Sequence, residues 1–245
     1  MVTSFDHVVD EYDAARPGYP TEIFDALGPL AGLAVLELGA GTGVATRALR
    51  ARQASVVALD RFPGVLSRAV ERSPMLTAVV ADGAVLPFRA RSFDLVCVAQ
   101  AWHWLDPERR ALEAFRVLGP SGRWAGWWSH ARADGEPWFE TLWELVEATG
   151  LAHRAQRDTE WGADVAASGR FDVADRISVP WVRRLDIGTW MTDLASHSYI
   201  AALPRAPREE LLGEVRNAVD QAFPSGVMEV PHETWLWIAT VRHDR

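Results

Sequence analysis

The sequence predicts one α/β domain built on an open, mostly parallel sheet with helices on both faces. Two observations predict this class. Five apolar, strand-like runs alternate with helix-like segments between residues 34 and 130. The first run ends in glycines at alternate positions, Gly39, Gly41 and Gly43, and a helix-like segment follows. A buried strand, a tight turn and a helix start in that order are typical of a loop that binds a ligand.

A turn-rich arm, residues 1–20, precedes the first helix, which we expect to begin near Thr21 as its N-cap. Tyr12 and Arg16 lie in this arm. The arm could fold over an open active site, or it could be a strap on the surface.

The strand Ala34–Leu38 leads into the glycine loop, where the missing Cβ atoms let a ligand lie against the backbone. A dinucleotide loop needs glycine or alanine at the position that Val44 occupies. Glu37 precedes the loop, and its negative charge would repel a pyrophosphate and attract an ammonium group. The methionyl tail of S-adenosylmethionine carries such a group. Here the chain resembles the class I S-adenosylmethionine-dependent methyltransferases, whose first motif reads as Glu37 to Gly43 does.

Two further strands end in aspartate. Ser55–Leu59 is followed by Asp60, 21 residues after Gly39, where a carboxylate can accept both ribose hydroxyls. The alternative is that Asp60 caps the helix that begins near Pro63. The strand Leu76–Ala81 ends in Asp82, which could accept a hydrogen bond from an adenine amino group or serve as a plain turn residue.

The fourth strand, Ser92–Val98, opens into a loop that contains Trp102, His103 and Trp104. In a parallel sheet such a loop faces the ligand. We expect Asp106 to cap the next helix, with Pro107 at its first position. The fifth strand, residues 123–129, carries three of the chain's twelve tryptophans.

The remaining pattern predicts a helical insertion after strand five and a C-terminal region of helices and strands. The expected elements are a helix at 137–149, an ambiguous polar stretch at 152–173, a strand at 182–187, helices at 189–202 and 208–223, and a last strand at 234–241. We therefore expect a Rossmann-like, seven-stranded sheet in a single domain, residues 1–245. Its parts are the arm (1–20), a cofactor-binding core (21–135), an insertion that covers the acceptor (136–180) and the C-terminal helices and final strands (181–245).

Composition excludes several classes of function. The net charge of −8 argues against a nucleic-acid surface. Cys97 is the only cysteine, which fits a reducing compartment, and the dispersed histidines argue against a metal site. The chain contains no lysine, which excludes Schiff-base chemistry, and no apolar run long enough for a membrane span. We expect a cytoplasmic protein with no metal, no nucleic-acid partner and no membrane partner; the oligomeric state stays open.

The arm, with Tyr12, Arg16 and Tyr19, resembles that of methyltransferases of the type 11 and trans-aconitate groups, where tyrosine and arginine help cover the cofactor. The segment 196–204 also resembles this group. The resemblance implies S-adenosyl-L-methionine as cofactor and S-adenosyl-L-homocysteine as product. The cofactor-binding residues expected from the loop patterns and the resemblance are Tyr12, Arg16, Glu37, Gly39, Ala40, Gly41, Thr42, Gly43, Asp60, Arg61, Asp82, Gly83, Ala84, Gln100, Ala101 and Trp104.

The activity expected from these patterns is methyl transfer to a small molecule, with an aromatic secondary metabolite such as an indole or a phenol preferred because of the many tryptophans. His103 is the candidate base, or else a residue that orders the loop. The expected acceptor contacts are Tyr19, Trp102, Trp128 and Tyr199.

Three alternatives stay open. A carboxylate acceptor would need an arginine, for which Arg16, Arg132 and Arg170 are the candidates. A protein that binds an adenosine ligand without catalysis is the second. The third, an NAD-dependent oxidoreductase, is disfavoured by Val44 and Glu37.

Overall fold

The computed structural model describes residues 18–242, which form a mixed sheet surrounded by helices. The strands are β1 (Ala34–Leu38), β2 (Ser55–Asp60), β3 (Thr77–Val80), β4 (Phe93–Ala99), β5 (Leu118–Ala131), β6 (Phe171–Val173), β7 (Ile177–Asp186) and β8 (Val227–Val241). The α-helices are α1 (Thr21–Ala26), α2 (Val44–Ala51), α3 (Pro63–Arg72), α4 (Arg110–Val117), α5 (Pro137–Ala148), α6 (Trp161–Ala167), α7 (Ile187–Ser196), α8 (Ser198–Ala201) and α9 (Arg205–Ala222). Single 3₁₀ turns span Trp102–Trp104 and Arg154–Asp158.

The strand order is β3-β2-β1-β4-β5-β8-β6, and β7 pairs with β8 outside this path. Strands β1 to β5 pair in parallel, whereas β8 runs antiparallel to its three neighbours. The Rossmann-like architecture expected from the sequence is therefore confirmed, with eight strands in place of seven. The additional strand is the three-residue β6, which lies in the stretch whose sequence pattern is ambiguous.

Strand β5 extends past the carboxyl end of its parallel neighbour β4, and its antiparallel partner β8 extends with it. The pairing of β4 with β5 ends at Ala99 and Trp127, and the last four residues of β5 pair with β8 alone. Strand β8 continues beyond β5 and pairs with β7 as far as Asp186. Both strands are longer than predicted. The prediction stops short because Pro231 and the glycines near the start of β5 are residues that usually interrupt a strand. The extended parts of β5 and β8 therefore lie at the carboxyl end of the parallel strands, where the loops after β1 to β4 begin.

Alternating side chains of β5 pack on opposite faces of the sheet. Trp124 and Trp128 belong to the core on one face, and Trp127 belongs to the core beneath α1 and α2 on the other. A third apolar cluster joins α5, α7 and α9 to the first residues of β8. The segment 136–180 contributes to two apolar clusters. Helix α5 packs in the third cluster, and Trp161 and Val165 of α6 pack in the first, beside Trp128.

Several predicted boundaries are wrong. Helix α9 begins at Arg205, not near 208, and strand β7 begins at Ile177, not at 182. Thr21 is the first helical residue of α1, whose N-cap is Pro20. Helix α4 begins at Arg110, because Asp106 accepts hydrogen bonds from the backbone N–H groups of Glu108 (2.9 Å) and Arg109 (3.2 Å) and so caps a separate turn ahead of the helix. The helix expected over 189–202 is interrupted at His197, whose backbone is extended. Among residues 18–242, no helix is both long and apolar enough to cross a bilayer.

Candidate active site

The glycine loop after β1 takes backbone conformations that other residues avoid. Gly39, Gly41 and Gly43 have φ of +67°, +55° and +81°. A Cβ atom on Gly39 would lie 2.4 Å from the Cβ atom of Ala101 in the loop after β4, whereas a Cβ atom on Gly41 would meet no atom within 4 Å. Gly43 is the N-cap of α2. The sequence thus brings the loops after β1 and β4 into direct contact and leaves open space over Gly41, as a ligand lying on the loop requires.

Glu37 lies beneath this loop, 1% exposed. The Thr46 hydroxyl, in the first turn of α2, donates a short hydrogen bond to Glu37 Oε2. Burial raises the pKa of Glu37 to about 8; the Thr46 bond opposes the rise and the charge of Asp60 adds to it. The carboxyl group is therefore mostly protonated at pH 7, which corrects the expectation of a permanent negative charge. An adjacent ammonium group would favour the charged form and lower this pKa again.

Asp60 joins the glycine loop to the start of α3. Its Oδ2 accepts a hydrogen bond from the Gly41 backbone N–H (2.8 Å), and its Oδ1 accepts one from the Phe62 N–H (2.9 Å). Burial raises the pKa of Asp60 despite these bonds. The N-cap of α3 is Phe62 and has no side-chain capping bond, so Asp60 is not that helix's cap. The Arg61 backbone N–H also acts on this carboxylate, and acceptor positions that the backbone does not use fit the hydroxyls of a ribose.

We expect Asp60→Asn to weaken binding of S-adenosylhomocysteine about 10- to 100-fold, since an amide loses the charge and turns a donor toward one of the two backbone N–H groups. Calorimetric titration measures the change. Asp220→Asn is the matched control, because Asp220 pairs with Arg216 on the exposed face of α9. Equal affinity in the Asp60→Asn variant and the wild-type protein would remove Asp60 from the site.

The loop after β3 touches the loop after β4. Asp82 is exposed, and its Oδ1 accepts a hydrogen bond from the Ala84 backbone N–H (2.9 Å). A Cβ atom on the buried Gly83 would lie 2.6 Å from Leu105 Cδ2. Asp82 is thus held in a turn at the carboxyl edge. Arg61 is exposed beside this edge, with its guanidinium carbon 5.6 Å from the ring centre of Phe62.

Gln100 turns the chain sharply at the end of β4. Its φ is +55°, rare for a residue other than glycine, and its N–H donates to the Trp127 carbonyl oxygen (2.9 Å). Such strain concentrates at functional sites. The turn directs the chain into the 3₁₀ segment 102–104, where Trp104 is 50% exposed.

Trp102 and Trp128, two predicted acceptor contacts, are core residues. Trp102 is fully buried, and its indole N–H donates to Asp164 Oδ2 (2.7 Å). Trp128 is also buried and stacks on Trp161, with ring centres 5.1 Å apart and planes 19° apart. Buried rings with these partners offer no open surface, so neither is placed to line an acceptor site.

His103, the candidate base, lies in an aromatic column. Its ring centre is 4.9 Å from that of Trp104 and 6.0 Å from that of Trp161. His103 is an exposed residue, yet the protein packed against its ring and, secondarily, the charge of Arg110 lower the pKa of His103 to about 4. The imidazole is neutral at pH 7 and has a lone pair available, although it is a weak base.

The tyrosines expected near the acceptor are not brought together. Tyr19 packs edge-on against Trp127, 5.8 Å away, on the α1 face of the sheet. Tyr199 lies in the third apolar cluster, its hydroxyl 2.8 Å from His197 Nδ1. Tyr12 and Arg16 fall outside the described residues.

Two of the three candidate arginines for a carboxylate are placed elsewhere or engaged. Arg132 binds Asp158 (2.9 Å) and Glu233 (3.1 Å). Arg170 packs over Phe115 and precedes β6, an edge strand that lies four strands away from β1 and its glycine loop. Across residues 18–242, no cluster of three or more His, Cys, Asp or Glu side chains is suited to a metal ion.

Sequence reasoning missed Thr46, Arg110, Trp161 and Asp164. The signal for Thr46 is its place in the first turn after the glycine loop. The other three carry no local signal. Trp161 and Asp164 lie in the ambiguous stretch and reach the loop after β4 only in the folded chain, and Arg110 gains its role only through its bond to Asp164.

Comparisons with known proteins agree with this geometry. A family model described as a methyltransferase domain matches residues 36–125. An uncharacterized methyltransferase of Mycobacterium tuberculosis is 35% identical over 216 residues, which cover 88% of this chain and 85% of that protein. A demethylmenaquinone methyltransferase of Beutenbergia cavernae is 35% identical over 54% of this chain and 55% of its own length. A solved structure named as a type II methyltransferase of Anaeromyxobacter dehalogenans has the same fold, with a TM-score of 0.71 and 23% identity over 93% of this chain and 97% of its own. The chain belongs to the class I S-adenosylmethionine-dependent methyltransferases.

Proposed function

We propose that the protein transfers the methyl group of S-adenosyl-L-methionine to a flat, aromatic or heteroaromatic small molecule, such as an indole or a phenol of secondary metabolism. The observation that carries this proposal is the aromatic column of His103, Trp104 and Trp161, whose outer member is half exposed beside the loop after β4. Aromatic faces attract flat rings by stacking and cationic groups through cation–π interactions worth roughly 0.5–2 kcal/mol.

The proposed cofactor site consists of the loops at the carboxyl ends of β1 to β4. Glu37 lies beneath the loop and is suited to an ammonium group, Asp60 to the ribose hydroxyls and Asp82 to an adenine amino group. The open space over Gly41 supports this placement, because a side chain there would occupy the ligand's position. A role for Tyr12 and Arg16 in covering the cofactor is proposed from the resemblance alone.

When bound, the cofactor supplies a methyl group that is already activated for transfer. The protein's task is then to hold the acceptor in line and keep water out, and orientation alone contributes roughly 7–11 kcal/mol in favourable cases. Trp104 offers the surface for orientation. His103 can take the proton of a hydroxyl or ring N–H on its neutral imidazole, a role that typically adds about 10²- to 10⁴-fold.

A small organic acid is the second candidate acceptor, and it is less well supported. Arg132 already binds two carboxylates and Arg170 lies at the far edge of the sheet, so Arg16 is the remaining arginine of the three that were considered. The net charge of −8 supports a small molecule over a nucleic acid as acceptor. The alternative that is not an enzyme is a protein that binds the cofactor without transferring its methyl group.

The test is transfer of label from S-adenosylmethionine carrying a tritiated methyl group, with a panel of indoles and phenols and a matched panel of organic acids. We expect label in the aromatic panel, reduced about 10²-fold by His103→Ala, the lower end of the range for a general base, because the pKa of His103 is lowered. The control is His153→Ala, which changes an exposed histidine at the start of the second 3₁₀ turn. Label in the acids alone would contradict the aromatic acceptor, and no label in any acceptor of either panel or a metabolite extract would favour a pure binder. Equal turnover in the His103→Ala variant and the wild-type protein would remove the base while leaving the acceptor class intact.

A further inference from the structure

We propose that Asp164, on α6, is a positioning residue: it fixes the loop after β4, and with it His103 and Trp104, by bonding two groups that belong to that loop and to the start of α4. The inference rests on the proposed function in one respect, because it takes His103 and Trp104 to face the acceptor.

Both carboxylate oxygens of Asp164 are used. Oδ2 accepts a hydrogen bond from the Trp102 indole N–H (2.7 Å), and Oδ1 accepts one from Arg110 Nη2 (2.8 Å). Arg110 Nη1 donates in turn to the carbonyl oxygen of Trp102 (2.8 Å). Asp164 thus holds Trp102 through the indole directly and through the backbone by way of Arg110. The carboxylate comes from a segment far along the chain, so the bonds join the insertion to the loop.

The ring of bonds is shielded from water. Trp102 is fully buried and the Arg110 side chain is 7% exposed, whereas Asp164 is 34% exposed. The Arg110 guanidinium lies over the rings of Trp102 (5.3 Å) and Trp161 (5.7 Å). A buried guanidinium that lost its carboxylate would be an uncompensated charge, which is strongly unfavourable. Asp164 is therefore the partner that keeps Arg110, and the turn it binds, in place.

Among residues 18–242, neither the His103 nor the Trp104 side chain makes a hydrogen bond or ion pair comparable to those of Trp102. Within the turn, the Trp104 N–H donates to Ala101 O (3.0 Å) and the Leu105 N–H to Trp102 O (3.1 Å), and these bonds keep the turn's shape but do not anchor it to the sheet. The anchor is Trp102. Burial is the main cause of the lowered pKa of His103, and the charge of Arg110 adds to it, so the ring of bonds also places a positive charge near this histidine.

The test needs no acceptor. In Asp164→Asn, the amide oxygen can still bond one partner, but the charge opposite Arg110 is lost. We expect hydrogen exchange of the backbone amides at 102–105 to become about 10- to 100-fold faster, as loss of a charge-assisted bond predicts. The matched control is Asp172→Asn in the same insertion, whose Arg242 partner lies at the opposite edge of the sheet.

A second variant separates positioning from general destabilisation. Trp102→Phe removes the indole N–H and leaves the Asp164–Arg110 pair. We expect hydrogen exchange at 102–105 to become faster in this variant also. In the double variant, the free-energy change derived from exchange should be smaller than the sum of the two single changes, because both substitutions break the same bond. The His103 resonance in a pH titration should show a higher pKa in Arg110→Met than in wild type, since a positive charge is removed. Unchanged exchange at 102–105 in Asp164→Asn, or full additivity with Trp102→Phe, would overturn the inference. Failure of the aromatic acceptor would leave these readouts untouched.

Discussion

Replacing Glu37 by glutamine should weaken the binding of S-adenosylhomocysteine by at least about 100-fold, because the amide keeps the size and the bond to Thr46 but cannot become negative. Calorimetric titration of the purified protein measures this loss. The control is Glu71→Gln, which removes an exposed charge paired with Arg68 at the surface of α3. Wild-type affinity in the Glu37→Gln variant would contradict an ion pair at this position.

The same substitution should change how stability depends on pH, and the sign follows from the raised pKa. Glu37 binds its proton up to about pH 8 in the fold, whereas the unfolded residue releases it near 4.5. Between these values the folded state holds the extra proton, so the free energy of unfolding falls as pH rises, by at most about 5 kcal/mol for a shift of this size. The Glu37→Gln substitution removes this dependence. Relative to wild type, the variant should gain stability as pH rises from 5 to 9, as urea unfolding at each pH will measure.

We expect Gly39→Ala to lower the free energy of unfolding by about 2–5 kcal/mol and to abolish cofactor binding. Two physical costs combine. A left-handed backbone at φ +67° costs an alanine roughly 1–2 kcal/mol, and a Cβ atom 2.4 Å from Ala101 Cβ forces one of the two loops to move, at about 1–3 kcal/mol. Urea unfolding of the ligand-free protein measures the sum, and calorimetric titration with S-adenosylhomocysteine measures the loss of binding.

Two variants separate these costs. Gly28→Ala carries the backbone strain alone, since its φ is +73° and a Cβ atom there meets nothing within 4 Å. Adding Ala101→Gly to Gly39→Ala removes the contacting methyl, and the next atom, the Cα of residue 101, lies 3.8 Å away. The double variant should recover the part of the loss that exceeds Gly28→Ala. If Gly39→Ala is no worse than Gly28→Ala, the contact between the loops after β1 and β4 does not matter to the fold.

The parallel half of the fold could be predicted because its signals are local. A buried strand, a turn and a helix repeat in the sequence, and an acidic residue stands at or beside the end of β1, β2 and β3 at Glu37, Asp60 and Asp82. The extensions of β5 and β8 could not be predicted in the same way, because they stabilise each other across the sheet. Pro231 within β8 resembles a break until its place opposite Val182 of β7 is known.

The protonation state of Glu37 and the places of the tryptophans were also beyond the sequence. Whether a carboxyl group is charged depends on how deeply the fold buries it, which the neighbouring residues in the sequence do not record. Trp102 and Trp104 stand two residues apart in one turn, yet the first is fully buried and the second is half exposed. Trp124 of β5 and the bond from Asp164 of α6 hold Trp102 in the core, and neither contacts Trp104 in the same way.

A buried, protonated Glu37 that gives up its proton to meet the ammonium group of the cofactor is the central claim. Calorimetric titration with S-adenosylhomocysteine at pH 7, repeated in phosphate and in Tris, counts the protons exchanged, because the two buffers differ in their heat of ionisation. A pKa of about 8 predicts that binding releases about 0.9 proton in wild type and none from this position in Glu37→Gln, whatever weak binding it retains. Tight binding to the wild-type protein with the same heat in both buffers would contradict the claim.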